Sequence, residues 1–285
     1  MQDALASSPA EIVDALARTA RKVHTPCGEG TMVWRTWGSG APLILLHGGY
    51  GSWTHWLRNI PELSRRYELW LPDMPGLGDS AMPREPWVPQ SIADAMVAGI
   101  DEIFGPHKEV RLGGFSFGGH VAGLSAFALQ DRVSALLLIG VAALGLRADP
   151  REPFAKRRTG MTDAEAAAVF RQNLEVLMFA DPANIDALAV YLQAENVRRG
   201  RFHSRPFAAT DALAVALADI KAPVKTIWGT RDIIARPSLE ARLDILRRHH
   251  PELDVRLIEG AGHWVAYEAA KAFNAALVEL LPPSG

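Results

Sequence analysis

Short apolar runs alternate with helix-like segments along most of this 285-residue chain. The strand candidates span residues 32–37, 42–47, 68–72, 109–114, 135–140, 224–228 and 255–259. Several of them are nearly continuous apolar runs, such as LILL and LLLI, which are typical of strands buried on both faces of a parallel sheet. The helix-like segments lie near residues 8–23, 53–64, 91–104, 117–130, 238–249 and 269–281. The alternation predicts an α/β fold in which helices cover both faces of a mostly parallel sheet.

The alternation is interrupted once, between residues 145 and 215, where helix-forming stretches at 163–178 and 185–199 occur without a convincing buried strand. We therefore predict a core formed by residues 1–144 and 216–285, with a helical cap inserted at 145–215. The cap contains a run of basic residues without an intervening acid: Arg198, Arg199, Arg201 and Arg205. The sequence leaves open whether this run faces a pocket or solvent.

Composition and charge exclude several classes of protein. Thirty basic and thirty-two acidic residues give a net charge of −2, so no overall field attracts nucleic acid or an anionic membrane. The single cysteine, Cys27, excludes an internal disulfide. The N-terminal residues lack the features of a secretion signal, and the longest apolar stretch, 135–146, is shorter than the ~20 residues that span a bilayer. We expect a cytoplasmic protein with no nucleic-acid or membrane partner.

The strongest local motif is GFSFG at residues 114–118, between an apolar strand candidate and a helix-like segment. Gly-x-Ser-x-Gly in a strand–turn–helix setting predicts a nucleophile elbow. The tight turn excludes side chains two residues before and after the serine. It presents the Ser116 hydroxyl at the start of a helix, whose dipole favours negative charge. Ser116 is therefore the candidate nucleophile.

A serine hydroxyl needs a base to accept its proton, and the base needs an orienting partner. Asp232 and His263 follow two later strand candidates, in the order Ser, Asp, His that this motif predicts. Because the carboxyl ends of parallel strands meet at one edge of a sheet, the three side chains should converge there. Backbone N–H groups of Phe117 and of Gly49, in the glycine-rich segment 47–51, are the candidate oxyanion-hole donors.

These motifs together resemble the α/β-hydrolase family over almost the whole chain. LILLHGGYG, LPDMPGLGDS, GGFSFGGH, IWGTRD and GAGHWVAYE occur in the order and spacing of that family. The resemblance implies that segment 145–215 covers the active site. It also implies catalytic and oxyanion-hole roles for the residues singled out above: Ser116, His263 and Asp232, with Gly49 and Phe117.

Within the family, GHWVAYEAAKAFN is similar to the C-terminal motif of the meta-cleavage-product hydrolases, which cut carbon–carbon bonds in dienol diketones. This resemblance implies Trp264 as a substrate contact and Arg201 of the cap as the partner of a substrate carboxylate. Two positions depart from that subfamily, which usually has asparagine immediately before the nucleophile and another near the position of His55. Phe115 stands at the first of these positions and makes the pocket more apolar.

The leading prediction is a serine hydrolase that acts on a small carboxylic ester, thioester or lactone through an acyl-enzyme. Such an enzyme needs an apolar pocket, and aromatic residues near the motifs could line it: Tyr50, Trp53, Phe115, Phe117 and Trp264. A carbon–carbon hydrolase is the first alternative. A ligand-binding receptor on the same fold is the second, and the intact Ser-His-Asp set argues against it.

The sequence has no motif for a metal or a nucleotide. No His-x-x-x-His pattern, Gly-Lys-Ser/Thr loop or dinucleotide fingerprint after a strand occurs in it. We expect no metal and no cofactor, and a small-molecule substrate as the partner. The substrate itself, a perhydrolase side activity and the oligomeric state, a homodimer included, are left open by the sequence.

Overall fold

An eight-stranded sheet forms the centre of the computed structural model, which describes residues 7–146 and 152–283. The strands in chain order are β1 (Arg21–Cys27), β2 (Gly30–Trp37), β3 (Pro42–Leu46), β4 (Glu68–Pro72), β5 (Val110–Phe115), β6 (Val133–Ile139), β7 (Val224–Gly229) and β8 (Asp254–Ile258). Their order across the sheet is β1-β2-β4-β3-β5-β6-β7-β8. The β1–β2 and β2–β4 pairs are antiparallel, and the other five pairs are parallel. The predicted α/β fold with a mostly parallel sheet is confirmed.

The helices connect and cover these strands. They are α1 (Pro9–Arg18), α2 (Ile60–Leu63), α3 (Pro89–Phe104), α4 (Phe117–Leu129), α5 (Asp163–Leu177), α6 (Ala187–Arg199), α7 (Ala212–Leu217), α8 (Leu239–His249), α9 (Val265–Glu268) and α10 (Ala270–Leu280). In the described ranges, none of them is long and apolar enough to cross a bilayer.

Alternating side chains of the central strands supply two hydrophobic clusters, one on each face of the sheet. On β3, Ile44 and Leu46 join the cluster that contains residues of α3, α4, α7 and α8. Leu43 and Leu45 join the cluster that contains residues of α5, α6, α9 and α10. All four side chains are fully buried, as the period of two in a strand requires when helices cover both faces.

The strand β1 differs from the sequence prediction, which continued a helix to residue 23. Helix α1 ends at Arg18, and β1 begins at Arg21. This strand pairs on one side only, and in it only Thr25 and Cys27 are buried. An edge strand with so few buried positions lacks the continuous apolar run that marks the central strands.

Three helices, α5, α6 and α7, lie between β6 and β7, where the insertion was predicted. Helix α7 crosses the predicted boundary between residues 215 and 216. Its Leu213 and Leu217 are fully buried in the cluster that α4 also contributes to. The helices α5 and α6 place Leu174 and Leu192 in the cluster of the opposite face.

Candidate active site

Ser116 stands at the turn between β5 and α4, in a backbone conformation that L-residues rarely adopt. Its φ is +54° and its ψ is −117°, and its N–H donates a hydrogen bond to Ile139 O at 2.8 Å. A Cβ at Gly114 would lie 2.2 Å from Gly118 O, and a Cβ at Gly118 would lie 2.3 Å from His47 O. Both glycines are therefore required by close backbone approach, as the elbow motif predicts.

His263 and Asp232 lie beside Ser116 in a continuous chain of hydrogen bonds. His263 Nε2 is 3.0 Å from Ser116 Oγ, and His263 Nδ1 is 2.9 Å from Asp232 Oδ2. The His263 and Asp232 side chains are both almost completely buried. Because an ionised carboxylate only accepts hydrogen bonds, the Nδ1 proton faces Asp232 and the Nε2 lone pair faces the serine hydroxyl. In this arrangement His263 can accept the proton of Ser116.

Asp232 also caps the short 3₁₀ helix that follows it. Its Oδ1 accepts a hydrogen bond from Ile234 N–H at 2.8 Å, while Oδ2 faces His263. The two carboxylate oxygens therefore have separate tasks. The cap fixes the rotation of the carboxylate and so orients the oxygen that His263 contacts.

The backbone N–H groups of Gly49 and Phe117 have no acceptor among the described residues. The two residues are neighbours, because a Cβ at Gly49 would lie 3.6 Å from Phe117 Cβ. The same Cβ would lie 2.2 Å from Ser204 Oγ, so a side chain at position 49 would require Ser204 to move. Two free donors beside a serine hydroxyl are what an oxyanion hole requires.

Ser116 and His263 open into a cavity of about 400 Å³. The sequence-predicted residues Tyr50 and Phe115 line it, and the Phe115 ring is 4.8 Å from the His263 ring. The segment between β6 and β7 adds an apolar wall: Phe154, Val169, Phe170, Leu177 and Met178. The cavity therefore suits a substrate with an apolar body.

Three cationic side chains also line this cavity: Lys156, Arg157 and Arg205. Among the described lining residues there is no aspartate or glutamate. The Arg205 guanidinium lies 4.3 Å from the centre of the Phe154 ring and 5.5 Å from that of Tyr50. In the described part of the chain it has no carboxylate partner. The described lining residues therefore give the cavity a positive charge.

Arg201, the predicted substrate contact, is directed elsewhere. Its guanidinium donates a hydrogen bond to Ser80 O, its N–H donates to Gly76 O at 2.8 Å, and it does not line the cavity. Two further arginines of the basic run form ion pairs with Glu195 and Asp79. Arg198 and Arg199 are the last residues of α6, and of the two arginines in the chain after it only Arg205 lines the cavity.

Trp264 is also not a cavity-lining residue. It is buried, its Nε1 donates a hydrogen bond to His55 O at 3.0 Å, and its ring stacks on Tyr267 at 4.3 Å. Its side chain packs into the core behind the site rather than beside His263. Trp53 packs against Trp37 at 5.5 Å and likewise does not reach the cavity.

Two further histidines line the cavity, His55 and His120, and the sequence analysis did not predict a role for His120. Burial lowers the pKa of His120 to about 4 and lowers that of His55 well below 6.5. His120 Nε2 is buried and has no hydrogen-bond partner among the described residues. His120 lies four residues after Ser116 on α4, so helical spacing could have placed it near the site.

In residues 7–146 and 152–283, no group of three or more His, Cys, Asp or Glu side chains could hold a metal ion.

Comparison with known proteins is consistent with this geometry. Residues 43–276 match the model of the alpha/beta hydrolase family. The 2-hydroxy-6-oxo-6-phenylhexa-2,4-dienoate hydrolase of Burkholderia cepacia is 29% identical, over 86% of this chain and 88% of that protein. The dihydrolipoyllysine-residue acetyltransferase component of the acetoin cleaving system of Pseudomonas putida is 28% identical, over 85% of this chain but 64% of its own length.

Among solved structures, naproxen esterase (carboxylesterase NP) from Bacillus subtilis superimposes with a TM-score of 0.74. The match covers 95% of this chain and 96% of the esterase, at 17% sequence identity, which shows a shared fold alone. The family match, in contrast, covers most of the chain. The protein is therefore a hydrolase, and the chain belongs to the alpha/beta hydrolase family.

Proposed function

We propose that the protein hydrolyses a small carboxylic ester through a covalent intermediate on Ser116. The observation that carries this proposal is the chain of hydrogen bonds from Ser116 Oγ through His263 to Asp232 Oδ2, at 3.0 and 2.9 Å. Thioesters and lactones belong to the same substrate class, because each presents an acyl carbon and an oxygen or sulfur leaving group to the same attack.

In the proposed mechanism, Ser116 Oγ attacks the acyl carbon while His263 Nε2 accepts the hydroxyl proton. The carbonyl oxygen becomes an oxyanion between the N–H groups of Gly49 and Phe117. The bond to the leaving group then breaks, and His263 returns the proton to the leaving alkoxide. A water molecule, deprotonated by His263, hydrolyses the acyl-enzyme and restores the serine.

An ester hydrolase suits the surroundings of this chain of hydrogen bonds. Phe115, which precedes the nucleophile, is buried and packs 4.8 Å from the His263 ring. Its ring offers an acyl group apolar contact and offers no hydrogen bond to a second carbonyl. An alkoxide leaving group needs only the proton that His263 returns, so no further polar group beside the nucleophile is required.

The test is the initial rate with p-nitrophenyl butyrate for the wild type, Ser116→Ala and Ser125→Ala. Ser125 lies on the same helix, is buried and does not line the cavity, so it provides a matched control. We expect turnover in the wild type and in Ser125→Ala, and loss of nearly all turnover in Ser116→Ala with an unchanged circular dichroism spectrum. Substantial turnover in folded Ser116→Ala would contradict the proposal.

Cleavage of a carbon–carbon bond in a carboxylate-bearing dienol diketone is the second candidate. Arg205 favours it, because a guanidinium without an acidic partner in the described chain lines the same cavity as Ser116. The Burkholderia cepacia relative is named for such a substrate. The product of that reaction must leave as a stabilised carbanion, which is protonated, and the apolar Phe115 gives this step no polar support.

Rates with a carboxylate-bearing dienol diketone and with p-nitrophenyl butyrate, measured on one preparation, separate the two candidates. Faster turnover of the ester supports the proposed function. A diketone rate far above the ester rate, reduced at least about tenfold in Arg205→Gln but not in Arg198→Gln, would favour the second candidate. Arg198 is the control because its guanidinium pairs with Glu195 outside the cavity.

A further inference from the structure

Two buried histidines hold consecutive peptide groups of the loop that carries Gly49. His47 Nδ1 is 2.8 Å from Gly48 O, and Gly48 N–H donates a hydrogen bond to His55 Nδ1 at 3.1 Å. Gly48 O and Gly49 N–H belong to the same planar peptide group. Fixing the Gly48 carbonyl therefore fixes the direction of the Gly49 N–H, while His55 fixes the peptide group before it.

The hydrogen-bond partners determine the proton positions on both rings. Met74 N–H donates to His47 Nε2 at 2.9 Å, so the proton of neutral His47 is on Nδ1, where it faces the Gly48 carbonyl. Gly48 N–H donates to His55 Nδ1, so the proton of neutral His55 is on Nε2. Burial lowers the pKa of both imidazoles, which keeps both neutral near pH 7.

The His55 ring has little freedom to move away from this bond. It is 2% exposed, and its centroid lies 4.9 Å from Trp264 and 5.7 Å from Phe115. A Cβ at Gly51 would lie 2.4 Å from His55 Cε1, so the loop itself packs directly onto the ring. The carbonyl of His55 accepts a hydrogen bond from Trp264 Nε1–H, which connects the residue to the loop that carries His263.

We propose that His55 is a positioning residue of the oxyanion hole: by accepting the Gly48 N–H, it keeps the Gly49 N–H directed at the oxygen on which charge develops. This inference rests on the proposed function. Gly48 O also accepts a hydrogen bond from Gly51 N–H at 3.1 Å, so the bond to His55 is what fixes the peptide group that contains the Gly48 N–H. Because glycine has wide backbone freedom, this peptide group could rotate without that acceptor. Gly49 N–H would then lose its alignment, although the His55 atom that holds the loop, Nδ1, bonds to the backbone of Gly48.

Three substitutions separate the Nδ1 acceptor from the rest of the ring. His55→Asn keeps an acceptor oxygen at about the position of Nδ1. His55→Gln places its amide near the position of Nε2, and His55→Leu keeps a similar volume without an acceptor. The measurements are kcat and KM with p-nitrophenyl butyrate and the Kd of butane-1-boronic acid, which forms a tetrahedral anionic adduct with a catalytic serine. Circular dichroism shows that each variant is folded.

We expect His55→Leu and His55→Gln to lower kcat by about 10- to 100-fold, with KM within about threefold of the wild type. Boronic acid affinity should fall by the same factor as kcat, because both depend on the oxyanion hole. His55→Asn should restore both to within about threefold of the wild type. A merely structural role predicts a different pattern, in which activity follows thermal stability across the three variants.

The inference is overturned if folded His55→Gln or His55→Leu keeps the wild-type kcat, or if His55→Asn loses as much as they do. Should His55→Leu fail to fold, the comparison of Asn with Gln gives the same decision. A wild type that neither hydrolyses the ester nor binds the boronic acid refutes the proposed function and this inference with it. A wild type that does both, with unaffected variants, refutes the inference alone.

Discussion

Glu268 Oε2 accepts a hydrogen bond at 2.7 Å from the N–H of Gly262, the residue directly before His263. The same carboxylate accepts hydrogen bonds from the N–H groups of Ala180 and Asp181, at 3.0 to 3.1 Å. These two residues follow α5. Glu268 therefore connects the loop that carries the candidate catalytic base to the segment that lines the cavity, through one half-buried carboxylate.

Replacement of Glu268 by alanine should lower both stability and activity. The N–H groups of Gly262, Ala180 and Asp181 lose a charged acceptor, which lowers the free energy of unfolding by about 1–3 kcal/mol. We expect kcat/KM for p-nitrophenyl butyrate to fall by about tenfold, because a small misplacement of His263 weakens proton transfer. The control is Glu279→Ala, which removes an exposed partner of Arg256. Equal melting temperatures and equal kcat/KM in both variants would show that Glu268 has no such role.

Replacement of Asp232 by asparagine tests the orientation of His263. An amide at this position can present its NH₂ to Nδ1, which moves the imidazole proton to Nε2 and removes the acceptor for the serine hydroxyl. We expect kcat to fall by about 10³- to 10⁴-fold while the fold is retained. The comparison is the steady-state kinetics of Asp244→Asn, which replaces an exposed aspartate on α8. A fall of less than about tenfold in kcat would contradict the assignment of Asp232.

The buried His120 should make stability depend on pH. Burial lowers its pKa from 6.5 to about 4, so between these values the unfolded chain binds a proton that the folded protein does not. Its contribution to stability is complete above pH 6.5 and is lost as the pH falls towards 4. The free energy of unfolding should therefore decrease with decreasing pH in this window, by up to about 1.4 kcal/mol per pH unit from this group.

Urea unfolding from pH 4.5 to 8 measures this effect in the wild type, in His120→Leu and in His107→Leu. His107 is exposed and provides the control. The slope of stability against pH should be smaller in His120→Leu and unchanged in His107→Leu. His47 and His55, whose pKa values burial also lowers, leave a residual slope in every variant. Identical slopes for the wild type and His120→Leu would refute the prediction.

Two glycines of α4 should respond differently to alanine. A Cβ at Gly118 would lie 2.3 Å from His47 O and 2.5 Å from Leu46 O, which are backbone atoms at the end of β3. A Cβ at Gly123 would meet Leu213 Cδ1, the end of a flexible side chain. We expect Gly118→Ala to lose about 3 kcal/mol or more of stability, and Gly123→Ala about 1 kcal/mol or less. Chemical denaturation measures both, and the reverse order would contradict the packing described here.

The sequence predicted those parts of the molecule that depend on local pattern. Ser116, Asp232 and His263 each follow a strand, and the parallel sheet brings strand ends to one edge. The elbow glycines were predictable because a tight strand-to-helix turn has one steric solution. Fold class and the convergence of these three residues therefore followed from strand order and turn chemistry.

The substrate contacts depend on irregular chain and were not predictable in the same way. Arg201 and Arg205 are four residues apart after α6, and the sequence does not say which of them the loop turns towards the cavity. Trp264 follows His263 directly, yet its ring packs on Tyr267 in the core. The strand β1 was missed because its polar residues on an edge resemble the end of a helix.

The most direct test of the account is to identify the residue that becomes acylated. A fluorophosphonate probe reacts with activated serines, and peptide mass spectrometry locates the adduct. We predict a stoichiometric adduct on the peptide that contains Ser116 in the wild type and in Ser125→Ala, and no adduct in Ser116→Ala. An adduct on another residue, or labelling that persists in Ser116→Ala, would contradict the central claim that Ser116 is the nucleophile.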